Sequence, residues 1–349
     1  MSFQLDIPTL TNQFDYFPGT RYMGSKNKII GKLWNVLKDF EFESFYDAFA
    51  GSNIVGYFMK CQGKKVISND FMTMSYHSAN AIIENSFINL EESEIEFLIN
   101  RDNSNDFIRR KFKDLYFSEI DNRFLDQVRE NIELLDNEYK RSIALASLSR
   151  ACIKKRPRGI FTFVGHRYDD GRKDIQDSLK VHFLNNISIF NAAVFDNGFE
   201  NKSFNTQTQE LQISADLVYL DPPYFSSKSD NDYVRRYHFV EGLVKNWEGL
   251  EIQENTKTKK FKSYKSPFSN KVEAYTEFEK LFDRFKDSII ALSYSSNSLP
   301  TKEELTDILK SFKTNVYVHE IDHTYSFGNQ PHKIGNVNNR VKEYLFIGK

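Results

Sequence analysis

Residues 44–70 read SFYDAFAGSNIVGYFMKCQGKKVISND, and this stretch decides the fold class. The run 44–49 is short and apolar, as expected of a buried strand, and small residues at 50–53 predict a turn. Residues 54–60 have helical spacing, and 65–70 predict a second strand. Strand, turn, helix and strand make a βαβ unit, which joins parallel strands. The stretch therefore predicts an α/β fold with a mixed, mostly parallel sheet.

The patterns outside this unit extend the sheet. Upstream, residues 26–38 place apolar side chains on one helical face. Downstream of residue 205, apolar runs predict strands at 216–220, 288–294, 315–321 and 343–347, with helices at 274–285 and 302–312. The lysine-rich stretch 247–270 predicts an exposed loop or flap that is mobile.

A charged zone with helical spacing, clearest over 119–153, separates the two groups of strands. Because the sheet starts before this zone and resumes after it, we predict that the zone is an insertion. The predicted domain boundaries are 1–88 for the first part of the sheet domain, 89–205 for the inserted helical domain and 206–349 for the second part.

Composition excludes several classes of protein. The chain has 349 residues, of which 40% are hydrophobic and 27% charged, so it is neither collagen-like, coiled-coil nor disordered. With 47 basic and 48 acidic residues the formal net charge is -1, so any contact with nucleic acid must come from local clusters. Two cysteines permit no disulfide framework, and no apolar run is long enough to span a membrane. We therefore expect a cytoplasmic location.

The turn after the first predicted strand is a candidate ligand site. Small residues from Ala50 to Asn53 let the backbone approach a ligand closely, and Asp47 lies at the end of the strand. Asp70 ends the second strand, 19 residues after Gly51, where an acid commonly accepts hydrogen bonds from ribose hydroxyls. The segment lacks Gly-x-Gly-x-x-Gly, so a dinucleotide site is not indicated, and an ordinary tight turn is an equally good interpretation.

A second candidate site follows the strand 216–220 directly. Asp221, Pro222, Pro223 and Tyr224 bring together an acid, carbonyls fixed by proline, and an aromatic ring. The Asp221 side chain and the Pro222 carbonyl could each accept one hydrogen of an exocyclic amine, while Tyr224 stacks on the base. Such a base would have to leave the duplex stack. The alternative is a rigid strand terminator, but the position after a buried strand favours function.

Three motifs in this order resemble the alpha, or D12, class of N6-adenine DNA methyltransferases. They are RYMGSK at 21–26, DAFAGS at 47–52 and DPPY at 221–224. The helical insertion and the RRYH sequence at 235–238 resemble the FokI-type restriction-modification methylases. Asn53 stands where many relatives have glycine, and Asn205 and Thr206 occupy the place of an expected acid near the third strand.

The resemblance implies a Rossmann-like S-adenosylmethionine-dependent methyltransferase fold, with 89–205 as the target-recognition domain. It implies that the N-terminal motif lines the methionine end of the cofactor, that the glycine turn holds the aminoacyl part, that Asp70 binds the ribose and that Phe71 lies near the cofactor adenine. The implied cofactor-binding residues are Tyr22, Met23, Gly24, Ser25, Lys26, Asp47, Phe49, Ala50, Gly51, Ser52, Asn53, Asp70, Phe71 and Asp221. Asp221, Pro222 and Tyr224 are the implied catalytic residues.

Basic residues predict where double-stranded DNA would bind. The run 154–159 is the densest, and it interrupts the helical zone, although a solvated charged turn is the alternative. The predicted DNA-binding residues are Lys154, Lys155, Arg156, Arg158, Arg167, Arg235 and Arg236. His238 is interpreted as structural or DNA-facing.

The expected activity is transfer of a methyl group from S-adenosylmethionine to N6 of a flipped adenine in double-stranded DNA, as the modification component of a restriction-modification system. The expected partners are DNA and a cognate restriction endonuclease or a second methylase, with no membrane and no metal. The alternatives are an RNA adenine methyltransferase, a DNA cytosine-N4 methyltransferase, and a catalytically degenerate DNA-binding protein.

Overall fold

The computed structural model describes residues 12–165, 171–225, 232–264, 266–296, 298–324 and 340–349. Its described strands form one seven-stranded sheet, and helices cover both faces. The strands are β1 (Ser44–Asp47), β2 (Lys65–Asn69), β3 (Lys202–Phe204), β4 (Leu217–Leu220), β5 (Ile289–Ser295), β6 (Val316–Thr324) and β7 (Arg340–Gly348). The order across the sheet is β3-β2-β1-β4-β5-β7-β6.

The sheet is parallel from β3 to β5, whereas β7 runs antiparallel to both of its neighbours, β5 and β6. The predicted mixed, mostly parallel sheet of a Rossmann-like methyltransferase fold is confirmed. The chain moves outward in one direction from β1 and in the other from β4. The boundary between β1 and β4 is therefore the point where the strand order reverses, and ligands bind at such a point.

The helices have the following bounds. They are α1 (Ile30–Leu37), α2 (Ile54–Cys61), α3 (Thr73–Ala79), α4 (Glu92–Asn100), α5 (Phe107–Lys111), α6 (Glu119–Ile132), α7 (Glu138–Lys155), α8 (Lys173–Gln176), α9 (Leu179–Ala193), α10 (Tyr233–Val244), α11 (Glu273–Arg284) and α12 (Lys302–Lys310). Short 3-10 turns lie at Phe14–Tyr16, Lys26–Lys28, Pro157–Gly159 and Pro267–Ser269, and a π turn at Asn80–Glu84 follows α3.

Polar caps fix where several helices begin. Ser118, Asn137 and Ser178 accept hydrogen bonds from the first-turn amides of α6, α7 and α9. Thr301 and Glu304 form a reciprocal capping box at α12. The long helical pattern predicted over 119–153 is thus divided at Asn137, where a cap starts the second helix.

Alternation along the strands creates two cores. Phe45 of β1 faces a large cluster that also contains Leu148 of α7 and Phe183 of α9. Tyr46, the next residue, faces a smaller cluster with Phe278 of α11 and Leu305 of α12. The helices of the charged zone therefore pack in the same cluster as one face of the sheet. Their definition as a separate target-recognition domain over 89–205 stays a prediction, and β3 enters the sheet just before residue 205.

The described part of 247–270 is a loop, as predicted, but it is anchored by buried residues instead of being exposed throughout, and this part of the prediction is wrong. Trp247, Phe261 and Phe268 are buried, and Ile252 forms an isolated bridge with Phe261. The aromatic residues among its lysines pack against the protein, while Lys257 and Lys262 are exposed. In the described part of the chain, none of the helices is both long and apolar enough to cross a bilayer.

Candidate active site

A cleft lies at the carboxyl ends of β1, β2 and β4, beside the point where the strand order reverses. It offers about 530 Å³ of space, including its open mouth. Its wall consists of Tyr22, Met23, Gly24, Ser25, Lys26, Asp47, Phe49, Ala50, Gly51, Ser52, Ile54, Val55, Asp70, Phe71, Tyr219, Asp221, Pro223 and Tyr233. The three sequence motifs thus meet in one cleft.

The wall contains thirteen of the fourteen residues predicted to bind the cofactor, and Asn53 is the exception. Asn53 is fully buried and adopts a left-handed conformation (φ 64°) immediately before α2. Its side chain donates to the Ser75 carbonyl at 2.8 Å and accepts from the Ser68 hydroxyl at 3.2 Å. We therefore correct its predicted role: Asn53 shapes the turn from behind and does not face the cleft.

Glycine is required at two positions of this cleft, because a tyrosine side chain lies too close to the backbone there to leave space for a Cβ atom. Gly51 has φ +52°, and a Cβ there would lie 3.0 Å from the Tyr22 ring. Gly24 has φ +77°, and a Cβ there would lie 2.8 Å from the Tyr233 hydroxyl. Residues with a side chain rarely adopt such positive φ angles. Both the backbone conformation and the lack of space for a Cβ atom therefore favour glycine at these two positions.

Asp47 is a buried carboxylate with one unused oxygen. Its Oδ2 accepts from the Gly56 amide at 3.1 Å, whereas Oδ1 is buried without a hydrogen-bond partner among the described residues. Burial first, and then the charge of Asp221, raise the pKa of Asp47 to about 8, although the amides of Gly56 and Phe49 oppose the rise. A cationic group entering the cleft would supply the missing partner.

Asp70 fixes the glycine turn through its carboxylate. Its two oxygens accept from the Gly51 amide at 2.7 Å and from the Met72 amide at 2.8 Å. Burial nevertheless raises the pKa of Asp70 to about 7, with a smaller contribution from the charge of Glu241. Asp70 therefore connects the end of β2 to the turn after β1.

Asp221 follows β4 and is held by a lysine. The Lys26 ammonium lies 2.8 Å from Asp221 Oδ1 and 2.9 Å from a second carboxylate, Glu343 of β7. Lys26 and Glu343 are buried, while the Asp221 side chain keeps 19% of its surface exposed. Burial raises the pKa of Asp221, Lys26 opposes this, and Glu343 reinforces it. Lys26 therefore forms a direct ion pair with Asp221, the predicted catalytic acid.

Aromatic rings close one side of the cleft. The rings of Tyr22 and Tyr237 stack at 5.2 Å, and Tyr233 lies 5.7 Å from Tyr22 on the same stack. The Tyr237 hydroxyl accepts from the Met23 amide at 2.8 Å. Because Tyr233 and Tyr237 belong to α10, the helix after the catalytic motif is fastened to the N-terminal motif.

The other two predicted catalytic residues lie outside the cleft wall. Pro222 is buried directly after Asp221. The Tyr224 ring is half-buried, with its centroid 5.6 Å from that of Tyr294 in an edge-on arrangement. The structure thus groups Asp221 with the cofactor motifs and places Tyr224 beside them.

Asn205 occupies the position where an acid was expected near the third strand. Its amide donates to the Asp70 carbonyl at 2.9 Å, and its oxygen accepts from the Thr73 hydroxyl at 3.0 Å. Phe71 lines the cleft, and its ring meets Tyr264 edge-on at 5.7 Å. Asn205 therefore holds the backbone next to Phe71 and Asp70.

The predicted DNA-binding residues differ strongly in exposure. Arg156 is only 1% exposed, and its guanidinium donates to backbone carbonyls, including that of Phe163 at 2.8 Å. Lys155 is mostly buried against Asp121 and the Asp177 carbonyl. The prediction is not supported for Arg156, because a cation surrounded by protein carbonyls presents no surface to phosphate.

Four other basic residues lie nearer the surface. Arg158 and Arg235 are exposed, and Lys154 and Arg236 are partly exposed. The Phe161 amide donates to the Arg236 carbonyl at 2.9 Å, so the two basic segments are neighbours. Arg167 lies outside the described residues.

His238 is a structural residue. It is 1% exposed, and its ring nitrogens lie 3.0 Å from the Thr258 carbonyl and 2.9 Å from the Arg235 carbonyl. Among the residues that the structure describes, no His, Cys, Asp and Glu cluster could hold a metal ion.

Glu343 and Tyr233 were missed by sequence reasoning. Glu343 is a lone acid within the apolar run 343–347, which is a recognisable signal because a charge on a buried strand requires a partner. Tyr233 follows the catalytic motif by nine residues, and nothing in the sequence marks its approach to Gly24.

Comparison with known proteins agrees with this geometry. Residues 22–308 match the D12 class N6 adenine-specific DNA methyltransferase family. The chain is 30% identical over 333 residues to the type II methyltransferase M2.HphI of Haemophilus parahaemolyticus, covering 91% of this chain and 95% of that protein.

Two longer relatives match as well. The modification methylase StsI of Streptococcus sanguinis is 30% identical over 319 residues, covering 84% of this chain and 46% of that protein. The type II methyltransferase M.FokI of Planomicrobium okeanokoites is 26% identical over 341 residues, covering 90% of this chain and 49% of that protein. The chain thus spans about half the length of these two relatives. The extent of the family match, together with the meeting of its three motifs in one cleft, shows that the chain belongs to the D12 class of N6 adenine-specific DNA methyltransferases.

Proposed function

We propose that this adenine-specific DNA methyltransferase takes its methyl group from S-adenosylmethionine and acts on an adenine turned out of double-stranded DNA. The observation that carries the proposal is the convergence of Asp47 and Asp221 on one cleft. Asp47 offers a buried oxygen that has no partner within the described part of the chain, and Asp221 offers a partly exposed carboxylate. The Asp47 oxygen suits the cationic amine of the methyl donor, and the Asp221 carboxylate suits the neutral amine of the target base.

The residues of the cleft fit S-adenosylmethionine. Asp47 would hold its α-amino cation, and the glycine turn would lie along its aminoacyl part. Asp70 would accept from the ribose hydroxyls through the lone pairs that its two amide contacts leave, and Phe71 would lie against the adenine. Bound, this cofactor supplies a methyl group already activated by its sulfonium centre.

The protein's own task is to orient and polarise the target amine. Asp221 would accept one amine hydrogen and the Pro222 carbonyl the other, which increases electron density on the nitrogen. Tyr224 would stack on the base. These groups need a base that has left the helix, because the amine of a paired adenine is already engaged.

The proposed DNA surface adjoins the cleft. Arg158 and Arg235 are exposed. Arg21, which immediately precedes Tyr22 of the cleft wall, donates to the Lys154 carbonyl at 3.4 Å and packs against Gly159, the residue after Arg158. Lys154 and Arg236 would add contacts to phosphates on the same side. The names of the relatives favour the modification role of a type II restriction-modification system, with a cognate endonuclease or a second methylase as partner. Because the substrate of such a system is the DNA of the cell, we infer a cytoplasmic location.

The experiment is transfer of labelled methyl from S-adenosylmethionine to unmethylated DNA, followed by digestion to nucleosides. We expect the label in N6-methyladenine. Label in N4-methylcytosine or in RNA would overturn the proposed substrate, and a chain that binds no S-adenosylmethionine would overturn the proposed donor.

The residue-level form of this experiment is Asp221→Asn. We expect loss of nearly all turnover, because the amide presents a weaker acceptor to the amine and a poorer partner to Lys26, while cofactor binding persists. Asp283→Asn on α11 is the matched control, since Asp283 pairs with Lys286 at the surface. Turnover of Asp221→Asn comparable to the control would contradict the role given to Asp221.

A further inference from the structure

Glu343 is a buried acid that the reaction outlined above does not use. It lies on β7, is 1% exposed, and has the Lys26 ammonium at 2.9 Å. The Ser293 hydroxyl of the neighbouring β5 donates to the same Glu343 oxygen at 2.7 Å. Two elements thus hold this carboxylate beneath the cleft.

Lys26 lies between two carboxylates. Asp221 is on one side at 2.8 Å and Glu343 on the other at 2.9 Å. When all three groups are ionised, the cluster has one net negative charge. Both Lys26 and Asp221 line the cleft, but Asp221 is the more exposed of the two, with 19% of its side chain accessible against 6%, so the negative charge is offered to the cleft.

We propose that Glu343 is a positioning residue for methyl transfer, holding the Lys26 ammonium from behind so that the cluster of Asp221, Lys26 and Glu343 keeps one net negative charge beside the target amine. This inference rests on the proposed role of Asp221. A lysine paired with Asp221 alone would cancel its charge, whereas a lysine shared with Glu343 orients Asp221 and leaves the charge in place.

The second carboxylate also matters as the reaction proceeds. Positive charge arrives on the target nitrogen, and a negative cluster beside it stabilises that change, because the cluster is largely buried. The nitrogen then releases a proton, which Asp221 takes up and passes to solvent. At that moment Asp221 is neutral, and Glu343 remains as the counter-ion of the buried lysine.

The test is Glu343→Gln, because glutamine keeps the shape and can still accept from Lys26 and Ser293. The experiment compares single-turnover methyl transfer by the variant and the wild type, with enzyme in excess over DNA and saturating S-adenosylmethionine. We expect the rate constant to fall about tenfold or more, with unchanged amplitude and unchanged dissociation constants for cofactor and DNA. Glu320→Gln is the matched control, since Glu320 pairs with Lys302 and Lys342 at the surface of the same hairpin.

The pH profile separates this role from a purely structural one. Lys26 and Glu343 are the charged groups that shift the pKa of Asp221, and the charge of Asp221 in turn raises the pKa of Asp47, Tyr219 and Tyr233. Of these, the negative charge of Glu343 raises the pKa of Asp221. Its removal should therefore move the acidic limb of the single-turnover rate to lower pH, which a loss of folded protein would not do.

The outcomes are distinct. An unchanged rate constant, or a fall in amplitude alone, would overturn the role of Glu343. Should the substitution prevent folding, Ser293→Ala removes one contact to Glu343 without changing charge, and we expect a smaller loss in the same rate constant. Failure of the proposed function is recognised separately, by a wild-type protein that transfers no methyl group or by an active Asp221→Asn.

Discussion

At the scale of single residues, Asp47 is the group whose charge responds most directly to ligand. Its pKa near 8 means that in the unliganded cleft much of it is protonated at neutral pH. Its burial makes the carboxylate unfavourable until a cation arrives. Cofactor binding should therefore be coupled to release of a proton.

This coupling predicts a pH dependence of cofactor affinity. The carboxylate binds the amine cation, and the carboxylic acid does not, so affinity should increase with pH up to about 8 and level off above it. The measurement is equilibrium binding of S-adenosylhomocysteine, which has the same α-amine, across this range.

Asp47→Asn is the variant that tests whether Asp47 causes this pH dependence of cofactor affinity. It should bind more weakly above pH 8 and lose most of the slope below it, while the smaller dependence due to Asp70, with a pKa near 7, remains. A slope equal to that of the wild type would show that another group titrates.

Individual site residues could be predicted from the sequence where their motif lies at the end of a predicted strand. Asp47, Asp70 and Asp221 each end a parallel strand or follow it directly, and parallel strands present their carboxyl ends at one edge. Lys26 was placed in the right cleft, but its contact with Glu343 was not predicted, because it joins residues more than 300 positions apart. Sequence patterns carry no information about such a distant contact.

At the scale of elements, the link between α10 and α3 determines how the cleft is supported. Glu241 of α10 is fully buried and accepts from the Thr73 amide at 2.9 Å and the Met74 amide at 3.0 Å, the first amides of α3. The Tyr264 hydroxyl also donates to it at 2.9 Å. One carboxylate thus caps a helix and fastens the segment 247–270.

Glu241→Gln should therefore destabilise the protein. The NH2 group of the glutamine would point at one of the two backbone N–H groups of α3, so that one hydrogen bond is lost. Loss of a buried hydrogen bond to a charged group costs roughly 1.5–3 kcal/mol. Urea unfolding followed by far-UV circular dichroism measures the change. Glu200→Gln, at an exposed pair with Lys202, is the control and should change the free energy of unfolding by less than about 0.5 kcal/mol. Equal effects in both variants would contradict the capping role.

The elements themselves were largely predictable, because apolar strands and amphipathic helices leave clear periods. The strand β3 was not, since Lys202–Phe204 is too short to show alternation. The segment 247–270 was misjudged for a related reason. Its lysines are numerous, but Trp247, Phe261 and Phe268, which are far apart in the sequence, anchor it by tertiary contacts that composition does not reveal.

At the scale of the whole molecule, the net charge of -1 requires DNA binding to be local. Arg158 lies in the turn after α7, and Arg235 lies in the first turn of α10. Both helices pack on the sheet face that contains Phe45. This face, beside the cleft mouth, is where we expect phosphate contacts.

The double variant Arg158→Ala with Arg235→Ala tests that expectation. If each arginine binds one phosphate, the dependence of log affinity on log salt concentration should become less steep by about 0.9 for each arginine removed. Lys310→Ala is the control, because α12 packs on the opposite face of the sheet and its last residue is exposed. An unchanged slope in the double variant would place the DNA elsewhere on the molecule.

The position of β7 has a consequence for biosynthesis. This strand is synthesised after β6 but inserts between β5 and β6, so β6 has no partner strand in the finished sheet until β7 arrives, whereas β5 already pairs with β4. It also brings Glu343 to a lysine synthesised more than 300 residues earlier. A nascent polypeptide whose residues 340–348 have not yet left the ribosome therefore lacks both the partner strand of β6 and the ion pair between Lys26 and Glu343.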